Sequence, residues 1–421
     1  MATEENKGTY FLKLEIDNFR CFKDNVTLDL SNEIGGWRKW TVILGDNGVG
    51  KTSLLQCLAN FETIEDADSL GFIINLKGII FSSTFLDEKS QIKATVIDSV
   101  VGEVEVKYGR EKTFWPYDKE DDDFLIGLRC YGYGANRFMS KGSLGGRKSW
   151  TSETLFKNRA SLINAEEWLL KLDYAASKES DVKDYATKRR NQVEDILREV
   201  LPDISNIRFT SPTRDNLSQT VEFQSPYGWV TIHQLSLGYK TMVAWMIDLA
   251  AHLFDTYPDS ENPLAEPAIV LVDEIDLHLH PKWQQKIFGY LDEKFPATQF
   301  IVTAHSPLVV QSAPADANIV LLKREGDHVV IKQDIESVRE WRLDQILASD
   351  IYDMGIRNPD IEKQLKERTV LLQKDSLTPQ EKERLAILNK MAHGLPTADN
   401  AGDIEAMDII RSAAEIVKNK K

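Results

Sequence analysis

The sequence predicts a mixed α/β fold: a central sheet carrying a glycine-rich loop, an antiparallel β lobe at the start, a short helical insertion and a C-terminal helical extension. Three observations predict it. WTVILG (40–45) is a continuous apolar run, as a central strand covered on both faces requires, and PAIVLV (267–272) is another. The first of these runs into glycine-rich sequence and then a helical pattern, TSLLQCLANF. Ahead of it, Leu12, Leu14 and Ile16, and then Val26, Leu28 and Leu30, lie on one face of period-two runs. They read as two strands of a half-exposed antiparallel sheet.

Further strands are expected at 72–81, 92–98, 101–108 and 126–132, the last preceded by the acidic turn KEDDD (119–123). From about 150 to 200 the period becomes helical, in LINAEEWLLKLDYAA and VKDYATKRRNQVEDILREVL, and Pro202 closes the segment. Trp168, Leu169, Leu172 and Tyr174, with Ile196, Leu197 and Val200, form either a partner-binding stripe or the contact between two helices, the second being the commoner case. Strand patterns return at 206–232, followed by a helix from about 237, a strand at 268–272, a helix at 281–294 and a strand at 299–303. Residues 317–333 read as a hairpin turning at Glu325-Gly326-Asp327. The remainder is helical, at 334–352, 360–375 and 378–393. Thr378, Pro379 and Glu381 form a capping box that opens the last helix, and Gly394 stops it. The chain thus divides into 1–149, 150–204, 205–333 and 334–421, without an internal repeat.

Of 421 residues, 42% are hydrophobic and 28% charged, a globular balance that excludes a disordered or collagen-like chain. No run approaches the roughly 18 to 20 apolar residues of a membrane span. The N-terminus has neither the basic start nor the apolar stretch of a secretory signal. Cys21, Cys57 and Cys130 are scattered without metal-type spacing. The expectation is a soluble cytoplasmic protein with no membrane partner. A net charge of −15 makes nucleic-acid binding over the whole surface a poor prospect. A basic patch could still form at KGSLGGRKSW (141–150) or YATKRRNQ (185–192), although solvated surface charge is the commoner meaning of such runs.

Gly45-Asp46-Asn47-Gly48-Val49-Gly50-Lys51-Thr52 fits G-x-x-x-x-G-K-[ST] between a buried strand and a helix. Glycines let successive backbone N–H groups curve around phosphate oxygens at the positive end of the helix. Lys51 would reach the β- and γ-phosphates, and the Thr52 hydroxyl would face Mg²⁺. The apolar run 267–272 ends on Asp273 and Glu274, two carboxylates at the C-terminal end of a strand, where ligands of open α/β sheets bind. Asp273 would join Thr52 in holding Mg²⁺, and Glu274 would orient and deprotonate an attacking water. Leu235-Ser236-Leu237-Gly238 opens a helix about thirty residues earlier, with Ser236 a plausible N-cap, and Thr303-Ala304-His305-Ser306 follows one strand later. His278, His280 and His305 also invite a zinc reading, but no third close ligand stands in register.

In this order and spacing the four elements resemble the ABC-type ATPase head, the P-loop superfamily of transporter motors and of the SMC and RecF group. The resemblance implies ATP and Mg²⁺ bound between two heads. It makes Gly45, Asn47, Gly48, Gly50, Lys51, Thr52 and Ser53 the nucleotide-binding set. Ser236 and Gly238 of a second subunit would then bind the γ-phosphate, and His305 would be the switch histidine. Glu274, Lys51 and His305 are the catalytic set it implies. Leu-Ser-Leu-Gly-Tyr departs from the Leu-Ser-Gly-Gly-Gln of transporters while keeping the Ser and the second Gly. The opening Asn18-Phe19-Arg20-Cys21-Phe22 looks like the first strand of RecF, SMC and overcoming-lysogenization (OLD) heads. Asp273-Glu-Ile-Asp-Leu-His278-Leu-His280-Pro281, with Thr303-Ala-His305-Ser-Pro307, looks like the ATPases of phage-defence operons, among them the PtuA family of Septu systems. Tyr133-Gly-Ala-Asn136-Arg137 resembles a strand of that group near the Q-loop position, where no Gln stands.

The roughly 180 residues between Thr52 and Leu235 are too few for SMC-type coiled-coil arms. No Asp-x-Asp pair follows His305, so the nuclease chemistry of OLD proteins is expected on a separate polypeptide. Three settings follow: an anti-phage ATPase that forms a homodimer or higher homo-oligomer and regulates a separately encoded effector such as a nuclease; a RecF-like repair ATPase that clamps DNA directly; and a transporter motor, which the opening strand disfavours.

Overall fold

The computed structural model describes residues 8–61, 63–65, 72–74, 91–98, 102–109, 128–140, 151–201, 203–211, 214, 219–333, 335, 341–349, 351–352, 358–374, 376–393 and 395. Its order begins with β1 (Thr9–Phe19) and β2 (Phe22–Asp29), paired antiparallel so that Leu14 faces Leu28 and Ile16 faces Val26. β3 (Trp40–Gly45) is buried along its length until Gly45, and α1 (Lys51–Ala59) starts directly after the glycine-rich loop. Short strands β4 (Thr63–Glu65) and β5 (Phe72–Ile74) pair with each other. β6 (Gln91–Asp98) and β7 (Gly102–Gly109) come next, and then β8 (Cys130–Tyr133). The expected strand at 126–132 therefore begins later, and the turn at 119–123 and the basic run 141–150 lie outside the described residues.

Three helices follow: α2 (Glu153–Phe156), α3 (Ala165–Ser177), capped by the Asn164 side chain, and α4 (Lys183–Val200). Leu169, Ile196, Leu197 and Val200 are buried where α3 and α4 pack. Tyr174 departs from that expectation: it is exposed, with the Lys178 ammonium over its ring. β9 (Asn206–Phe209), β10 (Val221–Ser225) and β11 (Gly228–Thr231) make a small antiparallel sheet. α5 (Leu237–Thr256) is buried on nearly all sides from Thr241 to Ala251. β12 (Ala268–Val272), α6 (Pro281–Gln284), α7 (Ile287–Lys294), β13 (Thr298–Thr303), α8 (Pro307–Ser312), β14 (Asn318–Glu325) and β15 (His328–Lys332) complete this part. The single helix expected at 281–294 is two helices. Ser312 Oγ donates to the Gln284 carbonyl, and the Gln284 amide turns back to the carbonyls of Asp276 and Leu279, so the helical ladder is interrupted there.

The central sheet has the order β15-β14-β3-β13-β12-β8, parallel except for the β14–β15 hairpin. Parallel pairing places the C-terminal ends of β8, β12, β13 and β3 along one edge: Val272 is level with Tyr133 and Val302, and Thr303 with Ile43. A second sheet, β2-β1-β6-β7, is antiparallel. One core joins the two: Phe11, Leu14 and Ile16 of β1, Leu54, Leu55 and Leu58 of α1, and Ile269, Leu271 and Ile301 of the central strands belong to a single buried cluster. No helix among the described residues is long and apolar enough to cross a membrane.

The chain divides into two compact units, up to Ile346 and from Leu347. α9 (Leu343–Ala348) lies across this boundary. In the second unit, α10 (Pro359–Leu372) and α11 (Pro379–His393) pack through Leu371 and Leu388, with Arg384 paired to Glu367. The capping box is present: the Glu381 carboxylate accepts from Thr378 N, and Thr378 Oγ1 accepts from Glu381 N.

β1 bulges between Phe11 and Lys13, just after Phe11 stands level with Val96 of β6. Gln299 on β13, fully buried, satisfies both of its groups, accepting from Phe11 N at 2.9 Å and donating to Phe11 O at 2.8 Å. Gln299→Leu leaves both backbone groups unpaired between the two sheets and is expected to cost about 2–5 kcal/mol. Thermal or urea unfolding measures this, and an unchanged midpoint would mean that the amide is dispensable.

Candidate functional site

The glycine-rich loop is shaped by what lies behind it. Gly45 has φ 141, and a β-carbon there would stand 2.6 Å from the Leu322 carbonyl oxygen. Gly50 has φ 92, and a β-carbon there would lie 2.5 Å from Cys21 Sγ and 3.0 Å from the Phe22 ring. The β1–β2 turn thus presses directly on the loop. Gly48, at φ 80, meets nothing within 4 Å and is exposed with Asn47, leaving the outer rim of the loop open. Lys51 is buried, and its Nζ arches back to donate to the carbonyls of Gly45 at 2.7 Å and Asp46 at 2.9 Å. Burial lowers its pKa, and the nearby Asp273, Glu274, Asp46 and Asp276 carboxylates oppose that. Ser53 Oγ accepts from Arg20, which also binds Gln56.

Opposite this loop stand the two acids that leave β12. Thr52 Oγ1 donates to Asp273 Oδ2 at 2.7 Å, and Thr303 Oγ1, at the end of β13, donates to Asp273 Oδ1 at 2.7 Å. The same Thr303 oxygen accepts from Glu274 N at 2.7 Å. Glu274 has φ 50, a left-handed conformation that a side chain rarely adopts. Arg137, buried and four residues past β8, donates to the carbonyls of Asp273 at 2.6 Å, Glu274 at 3.0 Å and Gly134 at 3.3 Å. Burial lowers its pKa to about 10, with Asp273, Asp276 and Glu274 opposing, so it stays charged at neutral pH.

The remaining motif residues occupy the segments after β12 and β13 and the start of α5. Asp276 Oδ2 accepts from the backbone N–H groups of His305 at 3.1 Å and Ser306 at 2.7 Å, and Ser306 caps α8. His305 is half-buried beside it. Ser236 caps α5, accepting from Tyr239 N. A β-carbon on Gly238 would lie 2.4 Å from the His278 carbonyl oxygen, so α5 begins against the segment that follows the acids. Ser236, Gly238, His278, His280, Tyr227 and Trp283 border a cavity of about 770 Å³, which no residue of the glycine-rich loop lines.

The structure therefore brings Gly45 to Ser53, Asp273 and Glu274 into one cluster, with Asp276 linking it to His305. It puts Ser236 and Gly238 on the other side of the segment after the acids. His278 caps nothing and is exposed, while His280 Nδ1 caps α6, and no group of three or more metal-ligating side chains exists among the described residues. Thr303, Asp276 and Arg137 stand inside the motifs quoted above, where nothing in the sequence alone assigns them these contacts. Arg137 stands in the quoted Tyr-Gly-Ala-Asn-Arg stretch, but only the parallel pairing of β8 with β12 shows what it touches. The basic run 185–192 is neutralised internally: Arg189 is buried against the carbonyls of Pro258, Ser260 and Glu261, and Arg190 pairs with Asp173 and Glu194.

Comparison with known proteins places this geometry. The family described as "AAA domain, putative AbiEii toxin, Type IV TA system" matches residues 40–311, from the glycine-rich loop strand to the helix after His305. The chain belongs to this family. It carries a P-loop domain of the AAA type. The Septu protein PtuA of Bacillus mycoides is 27% identical over 90% of this chain and 50% of its own length. The Retron Ec83 probable ATPase of Escherichia coli is 35% identical over 41% of this chain and 30% of its own. The chain spans about half the length, or less, of these curated relatives. A solved SMC head bound to the C-winged helix domain of ScpA overlaps 77% of this chain and 97% of its own, at 18% identity and a TM-score of 0.47.

The crowding at Gly50 makes it the position at which the loop's role can be tested. Gly50→Ala is expected to weaken a fluorescent ATP analogue about tenfold or more, since a side chain forced into this backbone region costs about 1–3 kcal/mol and also meets Cys21 and Phe22. Unchanged affinity would show that the loop accommodates the side chain without altering the nucleotide cradle.

Proposed function

We propose that this chain binds ATP with Mg²⁺, hydrolyses it between two copies of itself, and uses that cycle to regulate a separately encoded effector in anti-phage defence within the cytoplasm. The observation that carries the catalytic part is the apposition of the phosphate loop with the acid pair, Thr52 Oγ1 lying 2.7 Å from Asp273 Oδ2. The hard oxygens of Thr52 and Asp273 fit a divalent cation, and Mg²⁺ held there supplies charge neutralisation on the β- and γ-phosphates. Lys51, now bonded to two loop carbonyls, exchanges them for phosphate oxygens when ATP enters. Glu274 orients water for in-line attack and accepts its proton. His305, fixed through its backbone by Asp276, stands as the sensor of the γ-phosphate.

The paired-head reading is supported by the placement of Ser236 and Gly238. They open on a cavity bordered by His278 and His280 and by no residue of their own phosphate loop. A second copy, related by two-fold symmetry, would bring its loop to them. The defence setting is supported by likeness to the Septu protein PtuA over 90% of this chain and to a retron ATPase.

Two variants test the cycle. Lys51→Ala is expected to lose ATP binding, and wild-type affinity in it would refute the phosphate-loop assignment. Glu274→Gln is expected to bind ATP·Mg²⁺, release phosphate at least about a hundredfold more slowly, and double its mass in light scattering. A variant that turns over normally removes Glu274 as the base. Recovering a nuclease or other effector with ATP-loaded Glu274→Gln from the native host supports the regulatory role. Recovering only the chain with DNA transfers the function to direct DNA clamping.

A further inference from the structure

We infer that Arg137 is the positioning residue for Glu274, a buried guanidinium that holds the backbone of the acid pair in the conformation hydrolysis needs and ties it to the helical insertion. The inference rests on the ATPase reading above and deepens it. Glu274 leaves β12 with φ 50, although it is neither Gly nor Asn. Such a conformation persists where the surroundings over-determine it, and at functional sites the strain serves to pre-organise a group.

Both carbonyls that flank this strained residue, those of Asp273 and Glu274, accept from the two terminal nitrogens of Arg137, at 2.6 and 3.0 Å. A planar fork can satisfy two divergent carbonyls at once, and an ammonium cannot reproduce its geometry. Arg137 itself lies in a segment with little freedom. A β-carbon on Gly134 would stand 2.1 Å from the Thr154 carbonyl oxygen, and Gly134 N donates to Thr154 Oγ1. The neighbours of Arg137 continue into the helical insertion: Leu162 N donates to Phe138 O at 2.8 Å, and Ser140 N donates to Leu162 O at 2.9 Å. Arg137 is thus the side chain of a strap that runs from the end of β8 to the entry of α3. Its side chain contacts carbonyl oxygens, so it acts on the reaction through Glu274 and not on the phosphates.

The test compares wild type, Arg137→Lys and Arg137→Met for thermal midpoint, equilibrium affinity for ATP·Mg²⁺ and single-turnover phosphate release. Arg137→Lys keeps the charge and one hydrogen bond. It is expected to melt below wild type but stay folded at the assay temperature, and to bind ATP within about threefold, while its hydrolysis rate falls by about a hundredfold or more. Arg137→Met is expected to hydrolyse no faster than Arg137→Lys. A folded Arg137→Lys with the wild-type hydrolysis rate overturns the inference, as does a rate loss matched by an equal loss of ATP affinity. Should Arg137→Met fail to fold, the Lys variant alone decides. Wild-type protein that binds ATP without releasing phosphate, with or without its effector, sinks the ATPase reading instead, a result distinct from either outcome in the variants.

Discussion

The left-handed turn at Glu274 sets the terms for the rest of the site. A side chain in that backbone region costs about 1–3 kcal/mol, and it holds only where neighbours offset the strain. Here they come from both flanking strands. β13 contributes Thr303, whose hydroxyl accepts from Glu274 N and donates to Asp273, and whose carbonyl accepts from Ile275 N. β8 contributes the Tyr133 carbonyl to Asp273 N, and Arg137 a few residues later. Both flanking strands are parallel to β12, so their C-terminal ends arrive at the acids together. An antiparallel neighbour would have presented its starting end there, with its outgoing loop on the far side of the sheet.

The glycines extend the same logic to the loop. At Gly50 the contact is with Cys21 and Phe22 of the antiparallel lobe, and at Gly45 with the β14 backbone. At Gly238 it is with the His278 carbonyl, itself part of a residue at φ 66. In each case a side chain would push apart two segments that pack closely at the site. The antiparallel sheet is therefore more than a cover for the core: its β1–β2 turn is the rear wall of the phosphate loop. Arg20, bonded to Ser53 and Gln56, fastens that wall to the first turns of α1.

Much of this was legible because two kinds of signal are local. Buried central strands need unbroken apolar runs, and β3 and β12 lie where 40–45 and 267–272 place them. A phosphate loop needs glycines at fixed spacing, so Gly45 to Thr52 could be read residue by residue. The helix break after Gln284 was not legible, because it depends on Ser312, which approaches only after the fold has formed. Arg137 and Thr303 were illegible for the same reason. They act on residues 136 or 137 and 29 or 30 positions away, at contacts created by strand order alone. The pattern at 185–192 misled in the opposite direction: charge spacing cannot tell a solvated arginine from Arg189, which folds inward onto loop carbonyls.

The same strap decides which parts can move together. Asp248, buried in the middle of α5, accepts from Ile163 N at 2.9 Å and from the Tyr133 hydroxyl at 3.2 Å. Burial, and then the Asp248 carboxylate, hold the Tyr133 phenol well above its ordinary pKa, so it remains a donor. α5 begins at Ser236, Tyr133 ends β8, and Ile163 enters the insertion one residue after Leu162, which pairs with the Arg137 segment. Pulling α5 away from this junction would strip the buried Asp248 carboxylate of its Ile163 and Tyr133 donors, leaving only His252 of the same helix beside it, a loss on the order of several kcal/mol. Moving α5, the insertion, Tyr133 and the 134–140 segment as one body breaks neither of these bonds. Ser236 at the start of α5 and Glu274 at the end of β12 are thus joined through Asp248, the insertion, the 134–140 segment and Arg137.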